Sequence, residues 1–311
     1  MLCYPKSITV CEVSTRDGFQ SLPFEIETED KLELLEQIAD AGIREIEVGS
    51  FVPGASEDQW KMSKTPEVFR RMARRQGVVY RALLQTPEGA RQAIDSGCRK
   101  FKINISGSEK HYQLMTGKSI AEGVKGFEEI GRLAADNGVA LLGSISLAFL
   151  SPYDGQVPLE RLSMIIESFL NCGAEEISLN DTAGMATPAM VYEYFEQMQQ
   201  RFPQVKAWAF HPHNTRGMGL ANTLAALQAG IQKVDASLAG IGGCSVFKNA
   251  SGNISTEDLV YLLDGMGIET GVRMEPLLRA GQTVEKLVGG RNCDSYLQRL
   301  EKLKKSGQEI E

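Results

Sequence analysis

The sequence predicts an α/β fold: a (β/α)8 TIM barrel with additional C-terminal helices. One repeating grammar carries most of that prediction. An amphipathic helix, a glycine just past its end, a short apolar strand and a polar loop follow one another along the chain. The strands so marked number eight over about 240 residues, the size such a barrel requires. The competing fold, a doubly wound open sheet, usually shows fewer strands and a glycine-rich phosphate loop after the first. Neither Gly18 nor its neighbours form that loop.

The first strand is expected over residues 8–14, where β-branched and apolar residues alternate, and Thr15-Arg-Asp-Gly-Phe-Gln20 breaks it into a polar loop. Thr28 opens a helix with Leu32, Leu35 and Ile38 on one face, and Gly42 suits its left-handed cap. The second strand covers 44–48. Glycines 77, 97, 138, 173 and 230 then precede strands over 78–84, 100–105, 140–146, 176–179 and 233–236, while Phe202-Pro203 stops the helix before a strand at 206–210. Thr256-Glu-Asp258 reads as a helix start, and the stretches from Val272 to Leu278 and from Lys286 to Lys305 read as further helices. No low-complexity linker divides the chain. Residues 1–311 are therefore expected to form one catalytic barrel domain, with 272–311 as a C-terminal helical extension.

Composition excludes several classes. A hydrophobic fraction of 42% and a charged fraction of 23% are those of an ordinary globular protein, and no apolar run approaches membrane-spanning length. A formal net charge of −7 without a basic stretch argues against nucleic acid. The N-terminus has neither a signal nor a transit pattern, so a cytoplasmic location is expected. The six cysteines, Cys3, Cys11, Cys98, Cys172, Cys244 and Cys293, lack zinc-site spacing and are expected to be free thiols.

Two of only three histidines stand two residues apart in His211-Pro-His-Asn214, at the end of the expected seventh strand. On extended chain, residues i and i+2 share a face, so both imidazoles can reach one ion. On a barrel, Arg16 and Asp17, Glu47, Asp181 and the two histidines gather on one rim. Each has a bland reading alone: Asp17 as a turn residue, Glu47 as an ion-paired strand residue, Asp181-Thr182 as a helix cap. Their convergence with the histidine pair favours a site. Asn253 adds an amide oxygen, and Ala239-Gly-Ile-Gly-Gly-Cys244 adds a glycine loop ending in a thiol. Carboxylate, imidazole and amide oxygen suit Mg²⁺ or Mn²⁺ better than a soft ion, with Zn²⁺ and Co²⁺ left open. The bland reading of Cys244 is a small buried apolar residue.

Several stretches closely resemble the hydroxymethylglutaryl-CoA lyase family: Thr15 to Gln20, Glu47-Val-Gly-Ser-Phe-Val52, Ile177-Ser-Leu-Asn-Asp-Thr-Ala-Gly184, His211 to Asn214, Gly240 to Cys244 and Ala250 to Tyr261. The resemblance covers nearly the whole chain, in order. It implies a (β/α)8 barrel and a carbon–carbon lyase that cleaves 3-hydroxy-3-methylglutaryl-CoA, or a close 3-hydroxyacyl-CoA homologue, to acetyl-CoA and a 3-oxo acid such as acetoacetate. It makes Asp17, His211, His213 and Asn253 ligands of a divalent metal, with no organic cofactor beyond the CoA of the substrate. Arg16, Asp17, Glu47, His211 and Cys244 become the catalytic set, Arg16 stabilising the enolate and His211 and Cys244 moving protons. Arg16, Gln20, Ser50, Asp181 and Thr182 become substrate-binding residues. The partners implied are an acyl-CoA and a second copy of the chain in a homodimer, with no nucleic acid and no membrane.

The sequence also departs from the family pattern. Asn214 and Arg216 stand where the family usually has aspartate and tyrosine, Asn180 where it has glycine, Ser144 where it commonly has tyrosine, and Gln85-Thr86 where it has Pro-Asn. Ser245-Val-Phe-Lys248 follows the cysteine instead of Pro-Tyr. These changes bear on the acyl group more than on fold or metal. Alternative readings are a condensing synthase joining an acyl-CoA to a 2-oxo acid, a lyase for another hydroxyacyl-CoA, or a silent metal- or CoA-binding protein.

Overall fold

A computed structural model describes residues 4–51, 62–243, 247 and 250–305. Eight parallel strands close into a barrel: β1 (Thr9–Glu12), β2 (Glu45–Phe51), β3 (Val79–Leu84), β4 (Lys100–Ser106), β5 (Ala140–Ser146), β6 (Glu176–Asp181), β7 (Ala207–Pro212) and β8 (Lys233–Ala236). Each strand pairs with its sequence neighbours, and β1 closes the ring against β8 through Thr9 opposite Lys233 and Cys11 opposite Asp235. The strand at 44–48 in the sequence reading runs on to Phe51, with a register shift between Glu47 and Gly49. A Cβ on Gly49 would lie 2.4 Å from Thr65 Oγ1, so only glycine lets the strand pass there. Between β5 and β6 two short strands, Leu150–Ser151 and Gly155–Gln156, pair antiparallel.

Along the strands, apolar residues at alternate positions face the helices and build the main core: Ile46 and Val48, Phe101 and Ile103, Ile177 and Leu179, Trp208 and Phe210. The helices Thr28–Asp40 and Leu159–Asn171 supply matching apolar stripes, Leu34, Leu35 and Ile38 on the first and Leu162, Ile165, Ile166 and Phe169 on the second. After the barrel come helices Thr256–Gly265, Met274–Leu287 and Tyr296–Lys305. Met274–Leu287 starts two residues later than the stretch read from Val272, because Arg273 keeps an extended conformation as its N-cap.

Many inward positions are charged, where such barrels usually hold Val, Ile and Leu. Glu45, Lys100, Glu176 and Lys233, one from each even-numbered strand, form a closed ring of ion pairs near the base. Lys100 Nζ stands 2.8 Å from Glu45 and 2.7 Å from Glu176, and Lys233 Nζ 2.8 Å from each. Arg81 on β3, wholly buried, bonds downward to Glu45 at 3.1 Å and upward to Glu47 and Asp235 at 2.7 and 2.8 Å. Lys102 Nζ then bridges Glu47 at 3.2 Å and Asp235 at 3.0 Å. Every charge in this column has an opposite partner, the condition under which buried ions are tolerated.

Candidate active site

The loop after β1 is wound, not open. The backbone N–H groups of Arg16, Asp17 and Gly18 all donate to Val13 O, at 3.1, 2.8 and 3.4 Å, and Ser14–Gly18 forms a π-helical turn. Thr15 Oγ1 donates to Glu47 O at 2.8 Å and ties that turn to β2. Arg16 Nε donates to Glu47 Oε1 and Arg16 Nη1 to Asp17 Oδ1, so one guanidinium is gripped by two carboxylates. Burial raises the pKa of Glu47, but Arg16, Lys102 and Arg81 outweigh it and hold the carboxyl at about 2. Glu47 thus carries the ion-paired role its bland reading gave it, and its ionic partners are Arg16, Arg81 and Lys102.

His211 and His213 leave the end of β7 on one face, as their spacing predicts, with Nε2 atoms 3.2 Å apart. Asp17 Oδ2 lies 3.8 Å from His211 Nε2, and one ligand atom from each of the three residues lies within 4.8 Å of the others. The donor set fits a divalent cation. Asp235 Oδ2, 3.1 Å from His211 Nδ1, accepts that nitrogen's proton and leaves the Nε2 lone pair for an ion. Burial and the neighbouring His211 pull the pKa of His213 down to about 3, which keeps its ring neutral. Burial pushes Asp17 upward, but Arg16, His211 and His213 prevail and hold it ionised well below the usual range. His213 Nδ1 is buried with no partner among the described residues.

Asn253 joins this group through an isolated bridge to His213. Its Nδ2 donates to Asp17 Oδ2 at 2.8 Å and to Ile241 O at 3.2 Å. The glycine loop presses directly on it: a Cβ on Gly242 would lie 2.6 Å from Asn253 Nδ2, and one on Gly18 would lie 2.7 Å from Ile241 Cγ2. Cys244, at the end of that loop, lies outside the described residues.

The remaining expected residues are placed less centrally. Ser50 is buried on β2 opposite Leu83, and Gln20 is partly buried just beyond the π-helical turn. Asp181 alternates outward from Asn180, and its carboxylate accepts from Met185 N at 3.0 Å and Ala186 N at 3.2 Å, as a turn-capping residue does. Thr182 Oγ1 accepts from Leu147 N at 3.0 Å and pins the end of β5. Arg216 Nη1 donates to Ala183 O and Gly184 O, and its guanidinium lies 4.9 Å from the centre of the Phe247 ring. Asn214 Oδ1 accepts from Gly219 N.

The sequence reading passed over Asp235, Arg81 and Lys102, which organise the site from below. Their signal was present as charge at every second strand position around apolar residues: Glu45 and Glu47, Lys100 and Lys102, Lys233 and Asp235. An interior lined by charge inverts the usual pattern, so the alternation reads as solvent-facing until the barrel is closed.

A closed parallel barrel with a carboxylate and two imidazoles converging beyond its C-terminal strand ends defines a (β/α)8 enzyme with a site able to hold a divalent metal. The HMGL-like family model matches residues 7–284. The hydroxymethylglutaryl-CoA lyase of Bacillus subtilis is 36% identical over 288 residues, 92% of this chain and 95% of that protein. A 3-hydroxy-3-isohexenylglutaryl-CoA/hydroxymethylglutaryl-CoA lyase of Pseudomonas aeruginosa is 36% identical over 93% of this chain and 95% of its own. Among solved structures, that of the B. subtilis lyase superposes with a TM-score of 0.91 at 35% identity, covering 96% of this chain and 99% of the other. That of an Acinetobacter baumannii lyase in complex with coenzyme A and 3-methylmalate gives 0.87 at 31%, covering 100% and 98%. The chain belongs to the HMGL-like family, and with it to the carbon–carbon lyases.

Proposed function

We propose that this protein is a divalent-metal-dependent lyase that cleaves a 3-hydroxy-3-methylglutaryl-CoA-like thioester into acetyl-CoA and a 3-oxo acid. The observation that carries it is the meeting of Asp17, His211 and His213 beside an Arg16 fixed by Glu47 and Asp17. Asp17, His211 and His213 would hold the ion, Mg²⁺ or Mn²⁺, with Asn253 at the same group. When bound there, such an ion would supply Lewis acidity that makes the substrate hydroxyl more acidic.

The chain's own groups do the rest. The carbinol proton is proposed to pass to the Asp17 carboxylate, which keeps lone pairs beyond the one turned toward an ion, while His211, protonated at Nδ1 against Asp235, holds its place beside it. The C2–C3 bond breaks, the carbinol carbon becomes a ketone, and the electron pair stays on the acetyl-CoA enolate. Arg16, whose carboxylate partners leave it little freedom, is the cation for that developing charge, a role worth about 3–4 kcal/mol of barrier when such a donor is removed. Cys244 is proposed to protonate the enolate carbon. Gln20, Ser50 and Thr182 are proposed to line the acyl-CoA path, while Asp181 acts on it through the Thr182–Gly184 turn. Residues 1–311 are proposed to act as one catalytic unit with 272–311 as its helical extension, in the cytoplasm and as a homodimer. Light scattering on the purified protein tests the dimer. Among the described residues no helix is long and apolar enough to cross a membrane.

The deciding experiment is a panel assay with Mg²⁺ or Mn²⁺. Acetyl-CoA formation from 3-hydroxy-3-methylglutaryl-CoA or a 3-hydroxy homologue supports the lyase. Thiol release from acetyl-CoA on addition of 2-oxo acids, with no cleavage of any thioester, would replace it with a condensing synthase.

A further inference from the structure

The barrel interior beneath its mouth has two unlike parts. Strands β1 to β4 with β7 and β8 contribute the charged and imidazole groups described above. Strands β5 and β6 contribute neutral hydrogen-bonding groups: Ser144, Ser178 and Asn180, all buried. Ser144 lies opposite Ser178 across the two strands, and Asn180 lies opposite His211 in the neighbouring β7, which puts the amide on the inward face beside the imidazole.

The three side chains bond in sequence. Ser178 Oγ donates to Asn180 Oδ1 at 2.8 Å, and Asn180 Nδ2 donates to Ser144 Oγ at 3.0 Å. An amide has two N–H donors and a serine one O–H, so this chain of bonds leaves one donor on Asn180 and one on Ser144 for a further acceptor. The frame around them is stiff. Ala148 N donates to Asn180 O at 3.0 Å, and Leu147, fully buried, is held at φ +50 by its bond to Thr182. A donor pair held in place inside a closed barrel costs free energy against a purely carbon surface and gains it against an oxygen.

We propose that Ser144, Ser178 and Asn180 form a specificity wall that reads an oxygen-bearing substituent on the carbinol carbon of the acyl-CoA substrate, in place of an alkyl group. This rests on the lyase reading above and names its substrate class: 3-hydroxyglutaryl thioesters bearing hydroxymethyl or carboxylate at C3. Cleavage of the C2–C3 bond in either gives acetyl-CoA and the 3-oxo acid that keeps the substituent, with the carbinol proton and electron pair moving as before.

The test compares three CoA thioesters of one frame, with methyl, hydroxymethyl or carboxylate at C3, on the Mn²⁺-loaded wild-type enzyme and on Asn180→Leu and Ser144→Ala. Calorimetric binding of the free methyl and hydroxymethyl acids runs beside it. The wild type is expected to favour an oxygen-bearing thioester by at least about tenfold in kcat/KM, and Asn180→Leu to abolish that preference while methyl turnover stays within about threefold. The hydroxymethyl and carboxylate arms show whether the wall takes a neutral or an anionic oxygen. A wild type that prefers the methyl thioester overturns the proposal. So does a parallel loss on every thioester in Ser144→Ala and Asn180→Leu, which a purely structural trio would give. If the wild type cleaves none of the three, the lyase reading fails and binding decides the wall. Tighter binding of the hydroxymethyl acid, lost in Asn180→Leu, upholds it, and equal binding of both acids sinks it.

Discussion

His211 Nδ1 stands 3.1 Å from Asp235 Oδ2, and both oxygens of Asp235 accept from Arg81 Nη2 at 2.8 Å. An anionic acceptor there fixes which imidazole nitrogen faces the site. Asp235→Asn removes the charge and lets the amide present a donor instead, so Mn²⁺ affinity is expected to fall by about 10- to 100-fold. A Mn²⁺ titration of the folded variant measures it, and wild-type affinity would show that Asp235 does not orient His211.

Lys100 and Lys102 lie two residues apart on β4, both buried, and each bridges two carboxylates. Only the partners of Lys102, Glu47 and Asp235, touch Arg16 and His211. Replacing either lysine by Met leaves buried carboxylates short of a cation, at about 3–5 kcal/mol of stability. Lys102→Met is expected to lower kcat at least about tenfold as well, and Lys100→Met to keep it. Urea unfolding and steady-state kinetics at a temperature where both remain folded separate the two effects.

His213→Ala should remove most of the bound divalent ion and leave the barrel folded, because the lost ring is a proposed ligand and its Nδ1 bonds to nothing among the described residues. Elemental analysis with circular dichroism is the check. Full metal content in a folded variant would take the histidine pair out of the site.

Cys244→Ser is expected to lower turnover by about two to four orders of magnitude with substrate binding largely kept, the usual effect of losing a positioned proton donor. The other thiols are the control. Cys11, Cys98 and Cys172 are buried, and burial pushes Cys98, Cys172 and Cys293 up to about 11. Alkylation of the resting enzyme should therefore reach Cys244 before Cys11, Cys98, Cys172 and Cys293, as peptide mapping would report. Near-normal turnover in the serine variant would leave the glycine loop only a lid.

Glu45 makes the base of the barrel acid-sensitive. Burial raises its pKa, but Arg81, Lys100 and Lys233 outweigh that and bring it down to about 2. A depressed carboxyl contributes stability that is present above about pH 4.5 and lost as pH falls toward 2, at most roughly 3 kcal/mol for this group. Unfolding free energies between pH 5 and 2.5 should fall less steeply in Glu45→Gln than in the wild type. Parallel curves would mean the ring does not titrate through Glu45.

The order of elements, the barrel and the histidine pair were legible in the sequence because each is written locally: a helix in its apolar period, its end in a glycine, a shared face in the i, i+2 spacing. The chain motifs also located Arg16, Asp17 and Asn253, although 236 positions separate the last two and only the closed barrel puts them 2.8 Å apart. What tertiary structure alone decided was the meaning of the charges. Glu45, Lys100, Arg81, Lys102 and Asp235 alternate with apolar neighbours just as a solvated strand face would. Closure of the sheet turned that face inward, where each charge finds its partners among the other inward-facing charged and imidazole groups. Likewise Asn180 and Ser144, thirty-six positions apart, are ordinary polar residues until adjacent strands bring them into one hydrogen-bonded wall. A sequence fixes which side chains alternate, but which face becomes the interior follows from how eight strands close, a property of all of them together.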